Sequence, residues 1–454
     1  VKPSAAGERL PGRRLGLDVT VAVLTAVIVA LGLLFGALWY LSFPPLVPVG
    51  RNGVSLARVL DLLKLSFAVI AGVGGVIALV VAYRKQQVTE AAEHRQQTAE
   101  SRADEAHKRE ATKLFNERFA TAASQLGHDS PAVRLAGVHA LAGLADDAPT
   151  PELRQTMIDV LCAYLRIPYA PDPGEDGDPA EHLHFAGLRE VRHTIIRLIT
   201  AHIRENASVS WQGHDFDFTG VVFDGGDFSD AVFSGGKVNF GSARFTDGTI
   251  IFARAQFRSS VSFDGTLFSG GFVTFARAVF ADGTVTFRRA RFGGGVVYFA
   301  SATFSGGDVN LSSAKFSGAK VAFTQAKFAG SAVRFYSAEF TGGTVDFGPR
   351  YTSVRPYYGA SFSAGVISFG NAKFTGGTIN FGARFAGSTV RLDSKFSGST
   401  VNFEGAEFVS GTVDLVNAEF TGGRVDFSRV EDWNSPPQLK AGIPTDIVFL
   451  PSAL

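Results

Sequence analysis

Between residues 218 and 427 the hydrophobic positions follow a recurring rhythm. In FADGTVTFRRARF, residues 280 to 292, Phe280, Phe287 and Phe292 stand seven and then five residues apart. The series opens at Phe218, Phe223, Phe228 and Phe233, then alternates sevens and fives through Phe347, with a step of six from Phe257 to Phe263 and Leu311 in one place. It resumes at Phe362 and runs to Phe427, with Leu392 and Leu415 as substitutes. Two residues before most of these stands a small or β-branched residue. In five-residue units it is Ala243, Ala255, Ala278 or Ala290; in seven-residue units it is Val238, Ile250, Val273 or Val285. Side chains at i−2 and i share one side of a strand, and the polar residue between them faces out. Gly or Ser-Gly follows, which is turn chemistry. Strand and corner repeated at fixed period wind into a solenoid.

The first part of the chain has a different pattern. No residue carries a charge from Val19 to Leu41, and none does from Leu65 to Tyr83. A bilayer core about 30 Å thick takes roughly 20 helical residues. Pro44, Pro45 and Pro48 stop the first helix. Trp39, Tyr40 and Tyr83 stand near the ends, where amphipathic rings settle at the interface. The expectation is a tail over 1–16 and a two-span transmembrane helical hairpin over 17–83, with a short external loop. A cleaved signal peptide is the rival; the length of the first run and the second run behind it disfavour that reading. Lys2, Arg9, Arg13, Arg14, Arg84 and Lys85 flank the pair, against Arg51 and Arg58 in the loop and Lys64 at its lip. That asymmetry puts both termini in the cytoplasm of a multi-pass cell-membrane protein. No Asp, Glu, Lys or Arg lies inside either run, so no ion pathway is expected. Gly32, Gly36, Gly72, Gly74 and Gly75 allow close packing of the spans on each other or on a second copy.

Residues 84–126 are rich in helix formers and read as a polar helix of about 40 residues, roughly 60 Å long. A helical, HEAT-like connector follows over 127–207. Ser130 caps and Pro131 opens one helix; Thr150 and Pro151 repeat the device. Residues 171 to 181 read as a loop, and 185 to 204 as a third helix. Cys162 reads as a core thiol. His182, His184, His193 and His202 form too loose a set for zinc. The Asn206-Ala207-Ser208 sequon has no role on a cytoplasmic face.

AVFSG at 231–235 and AKFSG at 314–318 resemble the pentapeptide repeat, A-[D/N]-[L/F]-x-x. The resemblance covers 216–428 and implies a right-handed parallel β-helix with four five-residue faces. The chain departs from that pattern by two extra residues in alternate units. With the two apolar runs and the stretch from Glu117 to Leu165, it also looks like membrane-anchored actinobacterial proteins that carry such repeats. The fold class is therefore read as α+β and multidomain, with a β-helix over 208–430 and a C-terminal cap over 431–454. A coil of only two units would enclose a very narrow lumen. A coil of four units, alternately five and seven residues long, holds four Phe and is favoured. It gives about nine coils and a stack about 40 Å long at about 4.8 Å per rung.

Composition adds limits. The chain has 43 basic and 42 acidic residues, a net of +1, and its 41 Phe and 51 Gly belong to the repeat. One Cys excludes an internal disulfide and fits a reducing compartment. The first residue is Val1, which leaves an unusual start codon or a missing start as readings. The repeats hold no Cys and no His after His214, and Gly293 to Gly295 lack the Lys-Ser of a phosphate-binding loop. No enzyme, cofactor or metal is expected. The leading reading is a membrane-tethered scaffold or protein-interaction module with an unknown protein partner. A DNA mimic that binds topoisomerase, as the resemblance allows, needs an acidic surface. Residues 210–430 hold 17 acids and 20 bases, and no nucleic acid is expected either. A membrane-linked sensor is the third reading, and a homodimer through the spans or the β-helix ends is a further expectation.

Two candidate sites follow. The stretch GPRYTSVRPYYGA, residues 348 to 360, interrupts the repeat with Tyr351, Arg355, Tyr357 and Tyr358, a composition common at binding surfaces; an inert bulge is its rival. A four-unit coil would align Arg244, Leu267, Arg291, Lys315, Glu339, Lys373, Lys395 and Glu419 on one side. Gln256, Val279, Thr303, Lys327, Ser361, Arg384 and Glu407 would align on the opposite side. The first row is mildly basic and suits an acidic partner or the anionic inner leaflet; a solvated face is its rival. Phe287→Asp is expected to unfold neighbouring coils, and Arg288→Asp, at a corner, to cost little.

Overall fold

Each repeat unit forms a short strand, and each strand pairs in parallel with the equivalent strand of the next coil. The structure is a computed structural model that describes residues 21–39 in part, 56–169, 172–348, 350–351, 356–357 and 359–451. It divides into two compact units, Val1–Lys113 and Leu114–Leu454.

In the second unit, Arg291 is in register with Lys315 and Phe292 with Phe316, so one coil takes up four repeat units. Four walls result. Their registers run through Val285↔Val309, Arg291↔Lys315, Val297↔Val321 and Val279↔Thr303. The stack is a right-handed β-solenoid of about nine turns with a helical region before it. The Phe ladder is its core. Phe263 and Phe287 stack at 4.7 Å and 6°, while Phe275 and Phe287 meet edge to face at 6.3 Å and 85°. Rings therefore stack along each wall and meet edge-on between walls, the two arrangements that ring quadrupoles favour. Phe420, near the last turn, is only half-buried.

The two extra residues in alternate units go into the corners. Gly271, Gly295 and Gly307 take φ of +64°, +69° and +67° there, a region open to Gly without steric cost. From Lys327 onward, walls join across a corner into continuous strands such as Lys327–Arg334 and Glu339–Asp346, with register shifts at the bend.

Helix α1 spans Leu56–Leu126, so the uncharged run 65–83 and the polar stretch after it are one helix. Among the described residues, no helix is long and apolar enough to cross a membrane. The other expected span, 19–41, lies partly outside the described residues. Helices α2 (Pro131–Asp146), α3 (Pro151–Arg166) and α4 (Pro179–Ile203) follow. Thr150 caps α3 by accepting from Leu153 N at 3.3 Å. The Ser130 side chain makes no cap bond to α2. Helix α4 begins at Pro179, earlier than expected. Asp178 accepts from Ala180 N and Pro179 stands in the first turn, a start signal hidden in a loop-like composition. Cys162 is buried, and burial, with Asp159 adding, pushes its thiol up to about 12.

Arg288 is not an idle corner residue. Its Nε donates to Asp264 Oδ2 at 2.9 Å across one coil. Replacement by Asp would set two carboxylates against each other, so the expectation of a silent change is corrected.

Candidate interaction surface

The register carries the two expected rows as drawn. Arg244 pairs with Leu267, Leu267 with Arg291, Arg291 with Lys315, Lys315 with Glu339, Glu339 with Lys373, Lys373 with Lys395 and Lys395 with Glu419. The opposite wall aligns Gln256, Val279, Thr303, Lys327, Ser361, Arg384 and Glu407. Each row is one side chain wide, because the flanking residues point into the lumen.

The basic row is partly neutralised from within. Glu339 lies 3.9 Å from Lys315 and 3.4 Å from Lys373, and Glu419 lies 3.5 Å from Lys395. Such exposed pairs contribute about 0–1 kcal/mol each, so they order the row more than they stabilise it. Arg244 and Arg291 are exposed and have no carboxylate partner among the described residues. The unneutralised charge therefore gathers toward the helical end of the solenoid. Sequence reasoning missed Arg289, which stands exposed at the corner beside Arg291 with φ of +56°. The three arginines Arg288, Arg289 and Arg291, so close in sequence, were the available signal.

The insertion forms a small antiparallel hairpin. Arg350 is in register with Tyr357 and Tyr351 with Pro356. It grows from the corner after Phe347, where Asp346 accepts from Gly348 N at 3.0 Å. Burial pushes the Asp346 carboxyl up, against hydrogen bonds and Lys320 that pull it down. Arg355 and Tyr358 lie outside the described residues, so only Tyr351 and Tyr357 are placed.

A polar junction, also unforeseen, joins the helices to the first coil. Asp224 Oδ2 accepts from the Tyr169 hydroxyl at 2.9 Å, Asp224 Oδ1 lies 3.0 Å from His193 Nε2, and Arg189 pairs at 3.2 Å. Burial pushes the Asp224 carboxyl up, but the hydrogen bonds from His193 and Tyr169 outweigh it and hold it below its ordinary range. Buried Arg192 donates to Leu165 O at 2.8 Å and Val222 O at 2.9 Å. His202 pairs with Asp146 at 3.2 Å and stacks on Trp211 at 4.1 Å. These histidines thus serve the junction. Among the described residues no three His, Cys, Asp or Glu side chains gather to hold a metal ion.

Residues 218–267, inside the solenoid, match the family model described as pentapeptide repeats in nine copies. That stretch of the solenoid is similar to pentapeptide repeats. A solved structure of trypsin-treated QnrB1, a plasmid-mediated fluoroquinolone resistance protein, is similar to this chain. It is 20% identical over 45% of this chain and 89% of that one, with a TM-score of 0.22. No curated protein matches the chain.

Proposed function

We propose that the protein is a non-enzymatic scaffold, held at a membrane, whose pentapeptide-repeat solenoid presents fixed rows of side chains and one aromatic hairpin to a protein partner. The observation that carries this reading is the parallel register that persists from coil to coil. It holds outward residues in columns while the inward side chains are Phe, Ala and Val. A surface this regular offers rows for recognition. The deviations from it, the hairpin at Arg350–Tyr357 and the unpaired arginines, are where specificity would lie.

Membrane attachment is supported by the two uncharged runs and by their exposed large side chains. Phe67, Leu79 and Tyr83 are 66%, 72% and 62% exposed, an apolar surface that water disfavours and lipid accommodates. The basic residues on either side favour a cytoplasmic solenoid. A DNA mimic is the weaker reading, because it needs an acidic face and the most charged row here is net basic. No described feature favours a sensor.

A reporter fused after Leu454 tests the topology. It is expected to be active only in a form that works in the cytoplasm, with the chain retained in membranes after alkaline extraction. An active exported reporter, or release of the chain by alkali, would overturn the tether or its orientation.

A further inference from the structure

A cleft of about 510 Å³ opens among the end of α1, α2, α3 and α4, a size typical of small-molecule sites. Its lining is mostly aliphatic, with Leu126, Val160, Ala163, Ile167 and Leu188. Ile167 is 55% exposed, so part of this apolar surface meets water.

Two guanidiniums, Arg134 and Arg192, line the same cleft. Each hydrogen-bonds only to neutral groups among the described residues. Arg134 donates to the His128 carbonyl oxygen and, at 3.2 Å, to the Tyr164 hydroxyl. Arg192 is 4% exposed; it donates to the carbonyl oxygens of Leu165 and Val222 and sits 4.4 Å over the Tyr169 ring. A guanidinium has five N–H donors, and these bonds use two on each. Asp224 acts on Arg192 electrostatically, but Tyr169, His193 and Arg189 already hold that carboxylate. Burial pulls the Arg192 pKa below its ordinary value. A buried cation without its own carboxylate is costly, and an anion that pairs with it offsets the cost.

We propose that this cleft binds a long-chain carboxylate, with its head on Arg134 and Arg192 and its chain along the aliphatic lining. A carboxylate matches the guanidinium fork and brings one charge, whereas a dianionic head would bury a second one in an apolar site. An aliphatic chain asks for no hydrogen bonds. The Tyr169 hydroxyl is spent on Asp224, so little in the lining besides the guanidiniums would hold a polar body. This site lies apart from the rows and the hairpin and does not rest on the scaffold reading.

The test is photo-labelling of the full chain in lipid nanodiscs with a photoreactive palmitic acid, and with its methyl ester for comparison. Adducts are mapped by mass spectrometry. The acid is expected to label the segment from Val160 to Ile167 at least about tenfold more than the ester, because only the acid pairs with the guanidiniums. Arg134→Gln is expected to lower that labelling about tenfold at low probe concentration, and Ala163→Phe, which fills the cleft, to remove it. Circular dichroism checks that each variant keeps its fold. Should Ala163→Phe lose it, Ala163→Leu replaces it, and parent-like labelling of that variant overturns the proposal. Equal labelling by acid and ester, labelling unchanged by Arg134→Gln, or adducts confined to the uncharged runs would each overturn it as well. A cleft already filled by a peptide would give no acid-dependent adduct there and counts against it in the same way.

Discussion

Phe287→Asp is expected to lower the melting temperature of the solenoid by about 10 °C or more, as followed by circular dichroism. Phe287 is 1% exposed, stacks on Phe263 at 4.7 Å, and meets Phe275 and Phe299 edge-on at 6.3 and 6.2 Å. Truncating a buried Phe costs about 3–5 kcal/mol, and a carboxylate with no partner in its place adds to that. Each kcal/mol moves the midpoint of a repeat array of this size by about 2–4 °C. The damage should spread to adjacent coils, because each coil is stabilised mainly by its neighbours. Arg277→Asp is the control. Arg277 is exposed at a corner with φ of +59°, a conformation Asp tolerates better than most residues, so its effect should stay within about 0.5 kcal/mol. Equal melting of the two variants would remove the Phe ladder as the core.

Gly307→Val is expected to be nearly as damaging. At φ of +67° a Cβ on Gly307 would lie 2.1 Å from the Gly283 carbonyl oxygen of the coil below. A β-branched residue at positive φ costs about 1–2 kcal/mol by itself, and the clash with a backbone fixed by its own ladder bonds adds more. A loss of about 3 kcal/mol or more is expected in denaturant melts. Gly405→Ala separates the two causes. Gly405 has φ of +71° but nothing within 4 Å of a new Cβ, so it should lose only about 1 kcal/mol. If Gly307→Val and Gly405→Ala melted alike, close stacking at the corners would be excluded.

The walls were legible because inward positions obey two simple constraints. Phe at i and a small residue at i−2 share a face, and successive coils repeat that pair in register. Even the outward rows, Arg244 to Glu419 and Gln256 to Glu407, follow by counting coil lengths. The same counting sets Arg288 over Asp264, because corner ion pairs also repeat coil by coil; attention to the walls alone passes over it. Local composition misled at Asp178 and Pro179, where a helix start sits among Pro, Asp and Gly. The junction of Tyr169, His193 and Asp224 joins segments far apart in sequence. No periodicity connects a helical hairpin to the first coil of a solenoid, so nothing in the pattern pointed there. The insertion at 348–360 was visible as a break in rhythm, while its pairing of Arg350 with Tyr357 was not.

The most direct measurement of the central claim is site-specific photo-crosslinking in intact cells, with the reactive side chain placed at Tyr357 in the hairpin, at Lys373 on the basic row, and at buried Phe299. Recognition through the outer surface predicts discrete protein adducts at Tyr357 or Lys373 in the membrane fraction and none at Phe299, which is 2% exposed. No adduct at Tyr357 or at Lys373, or equal labelling of all three, would contradict a rigid solenoid that displays its outer side chains to a partner.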